Sequence, residues 1–298
     1  MSTSVGSHLV IAIFGANGNI SSNVISHIEK LLAYETELIS DFTLRIITRD
    51  PENLLTKVHC MKTEIIAGSI NDTDRLDELL MNVHRAFFCL PQHLSSDEML
   101  ATSNRFTDAA KRAGVQTVVR ISSYGMDNKS ATEGSQGTLG KAHVEGEEYM
   151  RANGLTVTSV RPTSFFSNFL KYDYPSVNTS STFYSPLGKE SSVNWISCDD
   201  ISSVVARALL DYKLDGKVLD ITGSDQNTLT AENMRILLQK KFQKDIIYVE
   251  LPIPENTEMN GLWLFLRAGG FSHHTNTVEE ITGKKPIEFS DFLDTLLK

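Results

Sequence analysis

The sequence predicts a doubly wound α/β fold, a parallel sheet covered by helices on both faces, followed by a smaller C-terminal α+β lobe. Three observations predict it. Short β-branched apolar runs alternate with stretches of helical spacing through the first half of the 298 residues. The runs are apolar almost throughout, as strands buried on both faces are. The first run ends in a glycine turn that opens a helix.

The elements follow in order. His8–Gly15 (HLVIAIFG) is the first strand, and Ile20–Leu32 has apolar residues at helical spacing. Thr43–Thr48 and Thr63–Ala67 are the second and third strands, Asp74–Met81 is a short helix, and Ala86–Leu90 is a fourth strand stopped by Pro91. Ser96–Ala113 is a helix with a serine N-cap and Gly114 at its end. Val115–Ser122 is the fifth strand. The second half is less regular. Gly140–Asn153 is helical, Thr156–Val160 is a strand, and Phe165–Gly188 reads as loop and short helix lining a cleft. Val193–Ile196 and Lys217–Thr222 are strands around a helix over Asp200–Leu210. A helix over Leu229–Phe242, a strand over Ile246–Leu251 and a helix over Asn260–Gly270 close the reading. The division expected is a nucleotide-binding domain over 1–160, with 190–225 returning to its sheet, and a substrate lobe from 161–189 and 226–298.

Composition narrows the function classes. With 41% hydrophobic and 22% charged residues the chain reads as globular. Its formal charge of −9 and lack of a dense Lys/Arg run argue against nucleic acid and anionic membrane as partners. Cys60, Cys89 and Cys198 are widely spaced with no C-x-x-C pair, which points to a reducing compartment. The start, Met1–Ser7, is polar, and Leu9–Phe14 is too short for a signal sequence or a membrane span, so a cytoplasmic location is expected.

The turn Gly15-Ala16-Asn17-Gly18-Asn19-Ile20-Ser21 follows a strand and opens a helix. Gly15 permits the tight turn, and Gly18 lets the backbone approach a diphosphate resting on the helix N-terminus. Ser21 stands where the third glycine of a Rossmann dinucleotide fingerprint is usual, and a serine is still small enough for close helix–strand packing. At the end of the second strand an acidic side chain selects NAD, whereas an arginine accommodates the 2′-phosphate of NADP. Here the order is Thr48-Arg49-Asp50. Arg49 can make a charge-assisted contact with a phosphate, or else pair on the surface with Asp50. The cofactor expected is NADP(H).

In these stretches the chain resembles the NmrA-like family of atypical short-chain dehydrogenases. They are Gly15–Ile20 (GANGNI), Ile47–Pro51 (ITRDP), Gly68–Asp72 (GSIND), Ile121–Gly125 (ISSYG) and His143–Met150 (HVEGEEYM). Arg161–Asn168 (RPTSFFSN), Asp199–Ile201 (DDI), Leu219–Gly223 (LDITG), Ile247–Pro252 (IYVELP) and Thr277–Pro286 (TVEEITGKKP) continue in order to near the C-terminus. The resemblance implies NADP(H) in the Rossmann half and a substrate against the C-terminal lobe. It also implies residue roles. Gly15, Asn17, Gly18, Asn19 and Ile20 would hold the pyrophosphate and Arg49 the 2′-phosphate. Ser69 and Ile70 would lie near the adenine, and Leu90 and Pro91 under the ribose and nicotinamide. Ser122 would sit near the nicotinamide, with Pro162 and Phe165 closing over it.

The chain departs from ordinary short-chain dehydrogenases at the catalytic helix. Those enzymes use Y-x-x-x-K, in which the lysine lowers the tyrosine pKa. None of the eight tyrosines here has a lysine four residues on. Two registers align the helix, one through Gly137, Lys141 and Glu145, the other through Leu139, His143 and Glu147; Val144, Tyr149, Met150 and the spacing to Gly154 favour the second. His143 then replaces the lysine, as a ribose contact or proton donor, or as a surface histidine beside Glu147. Ser122, Ser123 and Tyr124 supply hydroxyls, so His143, Ser122 and Tyr124 form the candidate catalytic set. His273 and His274 have no metal-ligating neighbours at short spacing, and no metal is expected. Phe165, Phe166, Phe169, Tyr172, Tyr174, Phe183 and Tyr184 divide between lobe core and a pocket for an apolar or aromatic substrate. The leading expectation is a reductase of a small conjugated, quinone-like, carbonyl or iminium compound. The alternatives are a non-catalytic NADP(H) sensor with a protein partner, and a cofactor-retaining isomerase or cyclase. A monomer and a homodimer fit the sequence equally.

Overall fold

The computed structural model describes residues 8–34, 41–52, 58, 62–91, 94–126, 137–255 and 257–297; Cys60 lies outside them. The chain runs β1 (Leu9–Phe14), α1 (Ser21–Tyr34), β2 (Phe42–Thr48), β3 (Thr63–Ala67), α2 (Leu76–Leu80), β4 (Arg85–Phe88), α3 (Ser96–Ala113), β5 (Thr117–Ile121), α4 (Gly137–Ala152) and β6 (Thr156–Pro162). It continues with β7 (Ser164–Phe165), α5 (Tyr174–Ser180), β8 (Thr182–Ser185), β9 (Ser192–Ile196), α6 (Cys198–Leu210), β10 (Val218–Ile221), β11 (Thr228–Thr230), α7 (Ala231–Phe242) and β12 (Ile247–Glu250). The last helices are α8 (Met259–Arg267), α9 (Thr277–Thr282) and α10 (Phe289–Thr295).

Seven strands form the main sheet in the order β3-β2-β1-β4-β5-β6-β10. The pairs β1–β2, β1–β4, β2–β3, β4–β5 and β5–β6 are parallel, which gives the doubly wound α/β fold expected. Strand order reverses between β1 and β4, so the ligand crevice of such a sheet lies beyond the carboxyl ends of these strands. All six residues of β1 are buried. Phe14 and Phe88 pack in the core against Phe106 of α3, with Phe14 edge-on to Phe106 at 5.8 Å. The α3 N-cap is Ser95, one residue before the serine the pattern suggested. Its hydroxyl accepts from the Glu98 amide while Glu98 accepts from the Ser95 amide, a capping box. Gly114 ends α3 at φ 80°, the left-handed cap that glycine takes without strain.

The described chain divides into two units. The first comprises residues up to Ser122, Glu145–Val160 and Ser202–Leu219; the second comprises Ser123–Val144, Arg161–Ile201 and Asp220 onward. Of the stretch 190–225 assigned from sequence to the sheet domain, only Ser202–Leu219 groups there. The reason is that β9 pairs with β7 and β11 in a separate three-stranded sheet.

The segment 165–188 is more regular than its composition suggested. It holds β7, a helical turn at Phe166–Asn168, a π-helical turn at Phe169–Asp173, α5 and β8. β8 pairs with β12 in a parallel ribbon, placing Phe183 beside Tyr248. Phe166, Phe169 and Phe183 join Val177, Met234, Leu238, Phe289 and Leu293 in the core of the second unit. Tyr172 and Tyr184 are exposed. Helix α7 starts at Ala231 rather than Leu229, because Thr228–Thr230 is drawn into β11 and the Thr230 hydroxyl caps the helix at the Asn233 amide.

Candidate dinucleotide site

The glycine turn stands at the carboxyl end of β1. Gly15 has φ +69°, a conformation that favours glycine, and its amide donates to Ile47 on the neighbouring strand (2.9 Å). The Gly18 amide folds back onto the Gly15 carbonyl (2.8 Å); a Cβ at Gly18 would stand 3.1 Å from that same oxygen. The first helical bond runs from Ser22 to Gly18 (3.0 Å), so the amides of Asn19, Ile20 and Ser21 precede it and have no intrahelical acceptor. Asn17, Gly18 and Asn19 are exposed, while Ala16 and Ile20 are buried beneath them. Ser21 fills the third-glycine position by burying its side chain and donating to the Phe14 carbonyl (2.9 Å), which ties helix to strand where a glycine would only permit contact.

Three further features hold this corner, and sequence reasoning did not single them out. The Asn17 amide donates to the Thr48 hydroxyl (3.3 Å), linking the turn to the end of β2. Ser202 of α6 donates to the Ile20 carbonyl (3.0 Å) and so fixes the start of α1. The Gly68 amide donates to the Thr48 carbonyl (2.8 Å), bringing the β3 turn alongside. An Asn two residues after a strand-end glycine and a Thr closing the next strand are the only sequence cues to the first link; the second joins residues 182 apart.

Arg49 is exposed and, among the described residues, has no hydrogen-bond or ion-pair partner, Asp50 included. Ser69 is half-buried, with its amide donating to the Asp72 carboxylate (2.9 Å) and its hydroxyl accepting from the Asn71 amide (3.2 Å). Ile70 packs its side chain into the core of the first unit, which leaves little of it for an adenine to touch. Leu90 and Pro91 follow β4 and are half-buried, Leu90 against the same core. Ser122 follows β5; its hydroxyl oxygen is buried and has no hydrogen-bond partner among the described residues. These residues all belong to the first unit.

Tyr124, His143, Pro162 and Phe165 belong to the second unit. The Tyr124 amide donates to the Pro162 carbonyl (3.1 Å), continuing the ladder that Ser122 and Val160 begin. The Tyr124 ring meets Phe271 edge-on, and burial, with Asp220 nearby, raises its phenol above the ordinary range, so it stays protonated at neutral pH. His143 is half-buried on α4, and Pro162 is buried. His273 and His274 are exposed.

Behind the strand ends lies an arginine that the pattern concealed. Arg120 of β5 is fully buried, its guanidinium 5.1 Å above the Phe88 ring and bonded through Nη1 to the Ser103 hydroxyl (3.1 Å). Its Nε and Nη2 have no acceptor among the described residues, and burial lowers its pKa to about 10. α4 crosses here at Gly146, where a Cβ would stand 2.8 Å from Nη2. Glu147, next along, is buried and bonded to Arg151 (3.0 Å).

Comparison with known proteins agrees with this architecture. The chain is 24% identical over 297 residues to an NAD(P)H azoreductase of Xenophilus azovorans, covering 95% of this chain and 96% of that one. The NADPH-dependent quinone oxidoreductase of Escherichia coli, solved with NADPH, superposes with a TM-score of 0.79 at 19% identity, over 97% of this chain and 100% of that one. NmrA, a negative transcriptional regulator solved with NADP, superposes with a TM-score of 0.71 at 15% identity, over 96% and 94%. No helix among the described residues is long and apolar enough to cross a membrane. The model of the NmrA-like family matches residues 7–290, and the chain belongs to that family.

Proposed function

We propose that the protein binds NADP(H) at the β1 turn and reduces a small conjugated, quinone-like, carbonyl or iminium compound. The observation that carries the reading is the pairing of an open amide cradle with an unpaired cation. The amides of Asn19, Ile20 and Ser21 face the helix entrance, Gly18 has no side chain to block it, and Arg49 has no partner among the described residues. A diphosphate takes the first and a 2′-phosphate the second. The buried, unpartnered Ser122 hydroxyl is a further group such a cofactor would satisfy.

When bound, NADPH supplies a hydride. The chain's own residues then orient the cofactor, exclude water and provide a proton where one is needed. Tyr124, held protonated, and His143 are the candidate donors. The absent Tyr-Lys pair supports substrates whose reduced form spreads its charge by conjugation, and it equally supports the second reading, a dinucleotide sensor with a regulatory partner.

Thermal shift with NADPH, NADH and no ligand tests the binding claim, since a ligand of the folded state raises Tm by mass action. A larger shift with NADPH is expected; a shift with NADH alone, or with neither, overturns it. NADPH oxidation over a panel of quinones, enones and iminium ions then separates the two readings. Turnover supports the reductase, whereas binding without turnover over the whole panel supports the sensor.

A further inference from the structure

The second unit carries a cavity of about 510 Å³ that the dinucleotide reading leaves unused, lined by Lys189, Glu232, Arg235, Tyr248 and Glu250. Small-molecule sites span roughly 300–1,000 Å³. Each wall has a cause in the fold. Tyr248 and Glu250 stand two residues apart on β12 and so share one side of the ribbon. Glu232 and Arg235 stand three apart at the start of α7 and pair through Arg235 Nη2 (2.7 Å). Lys189 follows Gly188, which has φ +84°, and its carbonyl accepts from the Glu232 amide (3.4 Å). Arg267 of α8 fixes the end of β12, donating to the Pro186 carbonyl (2.6 Å) and to Glu250 Oε1 (2.7 Å).

Most polar groups of the lining are already bonded, and the two that are not carry opposite charge. Arg235 places Nε and Nη2 on Glu232, and Nη1 on Gln239 and the Ile246 carbonyl. The Tyr248 hydroxyl donates to the Ser185 carbonyl (3.3 Å). The Lys189 ammonium has no hydrogen-bond partner among the described residues; its ion-pair partner, Glu232, stands 3.9 Å away and is held by Arg235. Glu250 Oε2 likewise has none among the described residues, since Arg267 takes Oε1. Lys189 and Glu250 are not paired with each other. Lys189 and Arg235 balance Glu232 and Glu250, so the lining is neutral, and a lone anion or cation bound there would leave one of the two open charges unmatched. A ligand with both an ammonium and a carboxylate matches both, and Tyr248 offers apolar contact for the rest of it.

We propose that this cavity binds an α-amino-acid zwitterion, with its carboxylate on Lys189 and its ammonium on Glu250. The backbone bond from Glu232 to Lys189 and the Arg267 contacts hold the walls in place before a ligand arrives, which lowers the ordering cost of binding. The site stands apart from the dinucleotide cradle and from turnover.

The test is a ligand-observed NMR titration of the full chain at neutral pH with three probes: L-phenylalanine, 3-phenylpropanoate, which lacks the ammonium, and phenethylamine, which lacks the carboxylate. L-Phenylalanine is expected to bind roughly fivefold more tightly than either, the effect of one solvent-screened ion pair. Lys189→Gln is expected to weaken L-phenylalanine and 3-phenylpropanoate and to leave phenethylamine unchanged. Glu250→Gln is expected to weaken L-phenylalanine and phenethylamine and to leave 3-phenylpropanoate unchanged. Equal affinity for the three probes, no binding of L-phenylalanine, or an unchanged L-phenylalanine affinity in either variant overturns the proposal. The three-probe comparison on the natural protein needs no variant to fold. An absent NADPH thermal shift beside intact L-phenylalanine binding would sink the dinucleotide reading alone.

Discussion

Replacing Arg49 by leucine removes the guanidinium and keeps much of the side chain's bulk. A hydrogen bond to a charged group is worth about 1.5–3 kcal/mol. Arg49 is exposed, so solvent screening places its contact at the low end, about 1.5–2 kcal/mol. That corresponds to roughly a 10- to 30-fold rise in the Kd for NADPH. NADH lacks the 2′-phosphate, so its Kd should move by no more than about twofold, within the usual effect of a surface substitution. Titrating the nucleotides' own fluorescence at low and moderate salt measures both quantities. The natural protein should lose NADPH affinity as salt rises, and the leucine variant should lose much less. An equal loss for both nucleotides would mean that Arg49 shapes the site rather than reading the phosphate. No loss for either would place the 2′-phosphate elsewhere.

Gly18→Val should weaken both nucleotides alike, because its Cβ would stand 3.1 Å from the Gly15 carbonyl, a backbone atom of the cradle itself; paired titrations of the two cofactors show whether the loss is common to both. Gly146→Ala should lower stability by about 1–3 kcal/mol through overpacking against Arg120, and the added Arg120→Met should restore most of it, as read from urea melts. Arg120→Met alone should be close to neutral or stabilising, since Nε and Nη2 have no acceptor among the described residues; a loss above about 3 kcal/mol would show that the charge is compensated. Asp173 binds a proton in the folded chain up to about pH 7, whereas in the unfolded chain it releases it near the ordinary 3.8, so stability should fall as pH climbs through that window and level off above it. Asp173→Asn should flatten that slope by on the order of 2–4 kcal/mol, and an unchanged slope in pH-dependent melts would count against an elevated carboxyl.

How far the molecule can be read from its residues depends on how local each cause is. The main sheet is written in short range: six consecutive buried residues in β1, an apolar run stopped by Pro91, and a helix bounded by Ser95 and Gly114 each carry their own punctuation. The glycine turn is legible for the same reason. What escapes is set by partners distant in sequence. Thr228–Thr230 looks like the start of a helix until β9 claims it, and β7 and β8 are too short and too polar to announce themselves without the strands they pair with. Arg120 reads as a polar interruption in an apolar strand. Only the α4 glycine, 26 residues later, shows that the strand was built around it. Asp173 is hidden differently. Its spacing of four residues from Phe169 and from Val177 places it on their helix face, but a carboxyl reads as a surface residue until its burial is known.

The choice between enzyme and sensor turns on where a proton can come from. Reducing a simple ketone leaves an alkoxide, whose charge is localised, so a donor must stand within hydrogen-bond reach as the charge appears. Reducing a quinone or an enone leaves a charge that conjugation already spreads, and an iminium ion loses its charge altogether. The Y-x-x-x-K arrangement meets the first demand, and this chain lacks it. What it has instead is a protonated phenol at Tyr124, a half-buried imidazole at His143 and a buried hydroxyl at Ser122, none backed by a lysine four residues from a tyrosine. On the reading proposed, such groups would suffice where the product anion is weakly basic and fall short where it is strongly so. If the protein turns over, its rate should therefore rise steeply with the acidity of the reduced product across a series of ketones, enones and quinones. A flat series would mean that a full-strength proton donor is present after all. No rate at any acidity would leave the cradle and Arg49 with nucleotide binding as their whole purpose.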